Sequence, residues 1–107
     1  MELNNKVVIV TGASEWIGKQ IALTLAKKWT RLALIARNQE KLDVTVTQCL
    51  ELGAKDAKAY SCDISVIEKL EATLASIVAD YEVVDVLINN AGIWQKMMPI
   101  DEVTGAQ

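Results

Sequence analysis

Four short apolar runs alternate with three segments of helical period, and this alternation constrains the fold more than any other feature of the chain. Lys6-Val-Val-Ile-Val-Thr11 is rich in β-branched residues, stops at Gly12 and reads as a strand buried on both faces. Ile17, Ile21 and Leu25, with Ala22 and Ala26 beside them, then keep helical spacing through Lys28. Leu32 to Ala36 reads as a second buried strand. Asn38 is suited to cap a helix that carries Leu42, Val46, Cys49 and Leu50 on one face and closes at Gly53. Ala57 to Ser61 is a third, weaker strand. Ser65 and Glu68 have capping-box spacing, so each side chain can satisfy the other's backbone donor. Ile67, Leu70, Leu74, Ile77 and Tyr81 continue one helical face, and Val83 to Ile88, interrupted by Asp85, supplies the fourth strand. Strand and helix repeating in this way demand a parallel sheet with right-handed crossovers.

Size and charge narrow the function. The chain has 107 residues, short of the roughly 150 of a typical domain. It is 51% hydrophobic and 23% charged, an ordinary globular balance. Eleven Lys and Arg against fourteen Asp and Glu leave a net charge of −3, which argues against a nucleic-acid surface. With no histidine and only Cys49 and Cys62, no imidazole proton switch, disulfide framework or metal site is expected. Reduced cysteines fit a cytoplasmic setting. No apolar run approaches the roughly 20 residues of a membrane span, and Lys6 with Val7 to Val10 behind it is too short for a secretory signal.

The turn between the first strand and first helix carries the chemistry. Thr11-Gly-Ala-Ser-Glu-Trp-Ile-Gly18 has the form of a turn that aims the free N–H groups of a helix N-terminus at an anion, normally a dinucleotide pyrophosphate; a tight turn with no ligand is the alternative. Glycine serves where φ is positive or where phosphate must approach the backbone.

Three more segments stand at the ends of the remaining strands: Arg37 after the second, Cys62-Asp-Ile-Ser65 after the third and Asn89-Asn-Ala-Gly92 after the fourth. This ordered set resembles the N-terminal half of the short-chain dehydrogenase/reductase family, of the classical type, over essentially the whole chain. The resemblance implies an α/β fold: a Rossmann-type parallel sheet of order 3-2-1-4 with helices on both faces, half of a doubly wound domain. Residues 1–107 would be the N-terminal part of an NAD(P)-binding domain. The implied activity is hydride transfer between a nicotinamide cofactor and a carbonyl/alcohol substrate. Carried over by position, Gly12, Ser14, Ile17 and Gly18 belong to the phosphate-binding turn, Asp63 and Ile64 to the adenine contact, and Asn90, Ala91 and Gly92 to the ribose and nicotinamide side. Asn89 and Asn90 equally suit a structural tie between the fourth strand and the first. Arg37 favours NADP over NAD: a NAD site wants an acid at the end of the second strand, whereas a guanidinium suits a 2′-phosphate. Glu15 pulls the other way, because a basic residue is common in that part of the turn in NADP-preferring members.

The chain also departs from the family pattern. Trp16 takes the place of the middle glycine, in or beside the path of the pyrophosphate, where it could block binding. Trp29 takes the place of a glycine just past the first helix, a left-handed position that costs a bulky residue about 1 kcal/mol. The two indoles are either substitutions or pack onto apolar surface at the helix ends. The family's catalytic Ser and Tyr-x-x-x-Lys lie beyond the Asn-Asn-Ala-Gly segment. Neither Tyr60 nor Tyr81 has a lysine four residues on, so no catalytic residue is assigned and the 107 residues are expected to be inactive alone. A different class stays open: a self-associating structural fragment or engineered scaffold with no small-molecule role. Residues 83–88 would form an open sheet edge, predicting a homo-oligomer through that strand or through exchange of the tail, residues 93–107.

Overall fold

The computed structural model of the chain describes residues 2–14 and 16–90. Its elements run β1 (Val7–Thr11), α1 (Trp16–Ala26), β2 (Arg31–Ala36), α2 (Gln39–Leu52), β3 (Asp56–Ser61), α3 (Ile67–Tyr81) and β4 (Val86–Ile88). The strands form one sheet in the order β3-β2-β1-β4, and every neighbouring pair is parallel. This is the expected Rossmann-type sheet and strand order.

The two-residue period of the strands divides the core. Val8, Val10, Leu32 and Leu34 face α1 and α2, packing with Ala22, Ala26, Leu42 and Cys49. Val7, Ile9, Ala33 and Ile35 face α3 and meet Ile77 and Tyr81. Both faces of β1 are therefore buried, as a near-continuous apolar run requires of a central parallel strand.

The helices seat themselves differently from the apolar pattern. On α1 the buried stripe is Gly18, Ala22 and Ala26, while Ile17 is 59% exposed. Three small residues at four-residue spacing let the helix axis approach the sheet closely, and that rotates the larger Ile17 outward. On α2 the buried set is Leu42, Thr45 and Cys49, and Leu50 is exposed. Thr45 is tolerated there because its hydroxyl donates to the Lys41 carbonyl at 3.1 Å. The caps of α2 are as expected: the Asn38 side chain accepts from the Lys41 N–H at 3.0 Å, and Gly53 closes the helix in the left-handed region.

Two local expectations are corrected. No capping box forms at α3, whose N-cap position is held by Val66 without a side-chain bond. Ser65 instead donates both its N–H (3.0 Å) and its hydroxyl (2.6 Å) to Asp63 Oδ1, a nearer acceptor than Glu68. The fourth strand is also shorter than residues 83–88. Glu82 ends α3 with φ 69°, and pairing begins only after Asp85. Asp85 bridges to β1 twice: its N–H donates to the Val7 carbonyl, and its carboxylate accepts the Val7 N–H, both at 2.9 Å.

Trp29 does adopt the left-handed conformation, with φ 61°. Its indole lies over Gly53, where an added Cβ would come within 3.4 Å of Cδ1 and Nε1. The ends of α1 and α2 are thereby packed on one another.

Candidate functional site: the carboxyl ends of the strands

Parallel strands bring their C-terminal ends to one edge of the sheet, so the segments following β1, β2, β3 and β4 gather there. Gly12 opens the first with φ 66°, a backbone that frees the chain to leave β1 sharply. The turn is held from both sides. The Ala13 N–H donates to the Ile35 carbonyl at 3.2 Å, and an added Cβ on Gly12 would stand 3.3 Å from the Asn90 carbonyl oxygen. Ser14 follows, and α1 begins at Trp16 with no acidic residue in its first turn. A helix N-terminus favours an anion.

Thr11 locks the outer strand to the inner one. Its hydroxyl donates to Asn89 Oδ1 at 2.9 Å and accepts the Asn90 N–H at 2.8 Å. Asn89 thus serves the structural tie. Asn90 is likewise tied to β1 through its main chain, and its side chain lies against Gly12 and Gly18. Ala91 and Gly92, the remaining pair expected at this end, lie outside the described residues, as do Glu15 and the tail.

At the β2–β3 side, Arg37 extends into solvent with its side chain 77% exposed. Its Nη1 lies 3.7 Å from Asp63 Oδ2, and the Ser61 hydroxyl donates to the Arg37 carbonyl at 3.0 Å. The Cys62 N–H donates to the Ala36 carbonyl, extending the ladder up to Asp63. The two bonds from Ser65, with smaller help from Arg37 and Lys69, hold the Asp63 carboxyl below the usual carboxylate range. Ile64 packs against the α3-side core.

The expected positions are therefore brought to one edge, apart from the pair outside the described residues. Trp16 is the discordant member. Its side chain is 86% exposed and lines an open groove of about 330 Å³ along α1 with Ile17, Gln20, Ile21, Thr24 and Leu25. Unlike Trp29, it stands almost wholly in solvent.

Neither tyrosine has the character of a proton-exchanging group. Burial and the Asp80 carboxylate, 2.7 Å from its hydroxyl, raise the Tyr60 phenol. Burial and Asp56, at 2.8 Å, raise that of Tyr81. Lys58 lies over the Tyr81 ring, 4.9 Å from its centroid. A proton-exchanging tyrosine needs a lowered pKa, the opposite shift. Among the described residues no group of three or more His, Cys, Asp or Glu side chains could hold a metal ion, and no helix is long and apolar enough to cross a membrane.

Comparison with known proteins gives a consistent result. The family model described as short chain dehydrogenase matches residues 6–107. An Arabidopsis thaliana protein named 11-beta-hydroxysteroid dehydrogenase-like 4A is 36% identical over 92 residues, covering 86% of this chain and 31% of that protein. Crystal structures of NAD+-bound xylitol dehydrogenase and of an actinorhodin polyketide ketoreductase variant with NADPH superpose with TM-scores of 0.81 and 0.76. Their sequences are 39% and 40% identical, over 86% and 82% of this chain and 35% and 33% of theirs. The chain spans about a third of the length of the relatives it matches.

Proposed function

The chain belongs to the short-chain dehydrogenase family, and we propose that its residues form the cofactor-binding half of an NADP-preferring oxidoreductase of carbonyl/alcohol substrates. When bound, the dinucleotide supplies or accepts the hydride. The protein's part is to hold it. Gly12, Ser14, Ile17 and Gly18 would receive the pyrophosphate at the N-terminus of α1. Asp63 and Ile64 would border the adenine, and Asn90, with Ala91 and Gly92, the ribose and nicotinamide side.

Arg37 carries the choice of cofactor. The carboxylate that would accept a ribose 2′-hydroxyl is absent from the end of β2, where Ala36 is followed by the exposed guanidinium. A 2′-phosphate offers that guanidinium paired acceptors. We assign no catalytic residue to these 107 residues and expect no turnover from them alone, because Tyr60 and Tyr81 are held protonated and neither is paired with a lysine at its hydroxyl.

Titration of the chain with NADPH and NADH, followed by intrinsic fluorescence, tests the assignment. Tighter binding of NADPH is expected, and Arg37→Gln should erase the difference. Equal affinities in the wild-type chain would overturn the NADP preference. A NADPH-dependent aldehyde or ketone turnover surviving re-purification would overturn the expected inactivity.

A further inference from the structure

The Arg37–Asp63 pair bears on how strongly a 2′-phosphate can be selected. Asp63 Oδ1 is committed to Ser65, receiving its N–H at 3.0 Å and its hydroxyl at 2.6 Å. The carboxylate therefore cannot rotate freely, and its other oxygen stays turned toward Arg37 at 3.7 Å. Arg37 is anchored at its main chain by the Ser61 hydroxyl, and its exposed guanidinium reaches to 3.7 Å from Asp63. The group offered to a 2′-phosphate is thus a cation that already has a counter-ion.

Resting on the cofactor-site reading above, we infer that Asp63 is a specificity-setting residue that narrows the preference of Arg37 for nucleotides bearing a 2′-phosphate. A 2′-phosphorylated nucleotide must draw the guanidinium from the carboxylate and lie near a fixed negative charge. A nucleotide with a free 2′-hydroxyl leaves the ion pair intact. Asp63 thereby penalises one class of ligand and spares the other, and the chain retains affinity for both. Selectivity is a difference between two affinities, so a repulsive group sets it as surely as an attractive one.

The test uses the whole 107-residue chain and two probes that differ only in the group in question, adenosine 2′,5′-bisphosphate and adenosine 5′-monophosphate. Asp63→Asn keeps the oxygen that Ser65 donates to and removes the charge. Calorimetric titration should show the ratio of the two affinities rising about two- to fivefold in this variant, the range an exposed ion pair spans. The gain should come from tighter bisphosphate binding and shrink as salt is added. Ser65→Ala, which keeps the charge, should leave the ratio near the wild-type value. Circular dichroism establishes that each variant is folded. If both probes bind but Asp63→Asn leaves the ratio unchanged or lowers it, this inference falls while the cofactor site stands. If Ser65→Ala shifts the ratio as much as Asp63→Asn does, turn geometry and not charge sets it, and the inference falls again. If neither probe binds the folded wild-type chain, the cofactor site and the inference fall together.

Discussion

Gly18 sits so close to Gly12 that a Cβ on the first would overlap the carbonyl oxygen of the second and lie 2.7 Å from the Asn90 amide nitrogen. The start of α1, the end of β1 and the end of β4 thus meet at one point, where only hydrogen fits. The same close approach turns the α1 N-terminus toward the strand ends.

Gly18→Ala should therefore destabilise the chain. The obstructing atom belongs to main chain and cannot swing aside, so the cost should lie at or above the upper end of the usual overpacking range of about 1–3 kcal/mol. A melting temperature lowered by at least about 5 °C is expected. An unchanged melting temperature would show that α1 can shift away from β1.

Asp85→Ala should destabilise through a single donor. The Val7 N–H donates to the Asp85 carboxylate at 2.9 Å, and Val7 is fully buried, so removing that acceptor strands the donor. The expected loss is about 1–3 kcal/mol in urea unfolding. Asp85→Asn retains an acceptor and should lose less. Equal losses in the two variants would mean that charge, not the hydrogen bond, is what matters.

High pH should weaken the fold. Burial pushes the Cys49 thiol from 9.0 up to about 11, opposed weakly by Lys19, and the phenols of Tyr60 and Tyr81 are raised as well. Each acid then holds its proton more tightly folded than unfolded. The stability this supplies is complete below the unfolded values and drains away as pH climbs through the folded ones. For Cys49 that window is pH 9 to 11. The urea midpoint should be level from neutrality to about pH 8.5 and fall steadily above it. A midpoint flat to pH 11 would rule the coupling out.

Trp16→Gly should strengthen NADPH binding by at least about tenfold, equivalent to 1.4 kcal/mol. The indole stands at the first position of α1, where backbone would have to approach the pyrophosphate in the cofactor site proposed above. Its 86% exposure means that little packing in the fold depends on it, and a melting curve of each form separates a change in affinity from one in stability. Equal tight binding by both forms would show that the side chain swings clear.

The strands and the caps of α2 were legible because each has a local signal, whereas the strand order came from the family resemblance. The β-branched run of β1 dictates double-sided burial, and Asn38 and Gly53 can serve few positions other than caps. Helix rotation was not legible. Ile17 and Leu50 look like core residues by hydrophobicity, yet Gly18 and Thr45 take the inner positions because close approach and a self-satisfied hydroxyl decide the packing. Likewise Ser65 could bond to Glu68 or to Asp63, and only the folded turn shows Asp63 to be the nearer acceptor. In the site, the positions of Gly12, Arg37 and Asn90 followed from the strand ends. The contact of Arg37 with Asp63 did not, since it depends on how far the β2 and β3 exits diverge.

The outer edge of β4 gives the last expectation. Val86, Leu87 and Ile88 pair with Val8, Ile9 and Val10 on one side, and among the described residues no strand lies on the other. A strand paired on one side only presents free N–H and C=O groups, and natural edges are commonly guarded by lysine, proline or a bulge. Residues 83–88 contain neither lysine nor proline. Asp85, the one charge there, is engaged with Val7. Two copies of this chain are therefore expected to associate edge to edge. An isologous pairing of the two β4 strands would be antiparallel and extend the sheet from four strands to eight. Sedimentation at micromolar concentration should give a species heavier than the 11.7 kDa monomer. Val84→Lys and Val86→Lys, which place charge on opposite faces of this segment, should shift it toward monomer while circular dichroism stays native. Exchange of residues 93–107 between copies is the competing arrangement, and association that survives both lysine variants but is lost on deleting that tail would favour it. A wild-type chain sedimenting as a compact 11.7 kDa monomer would defeat both.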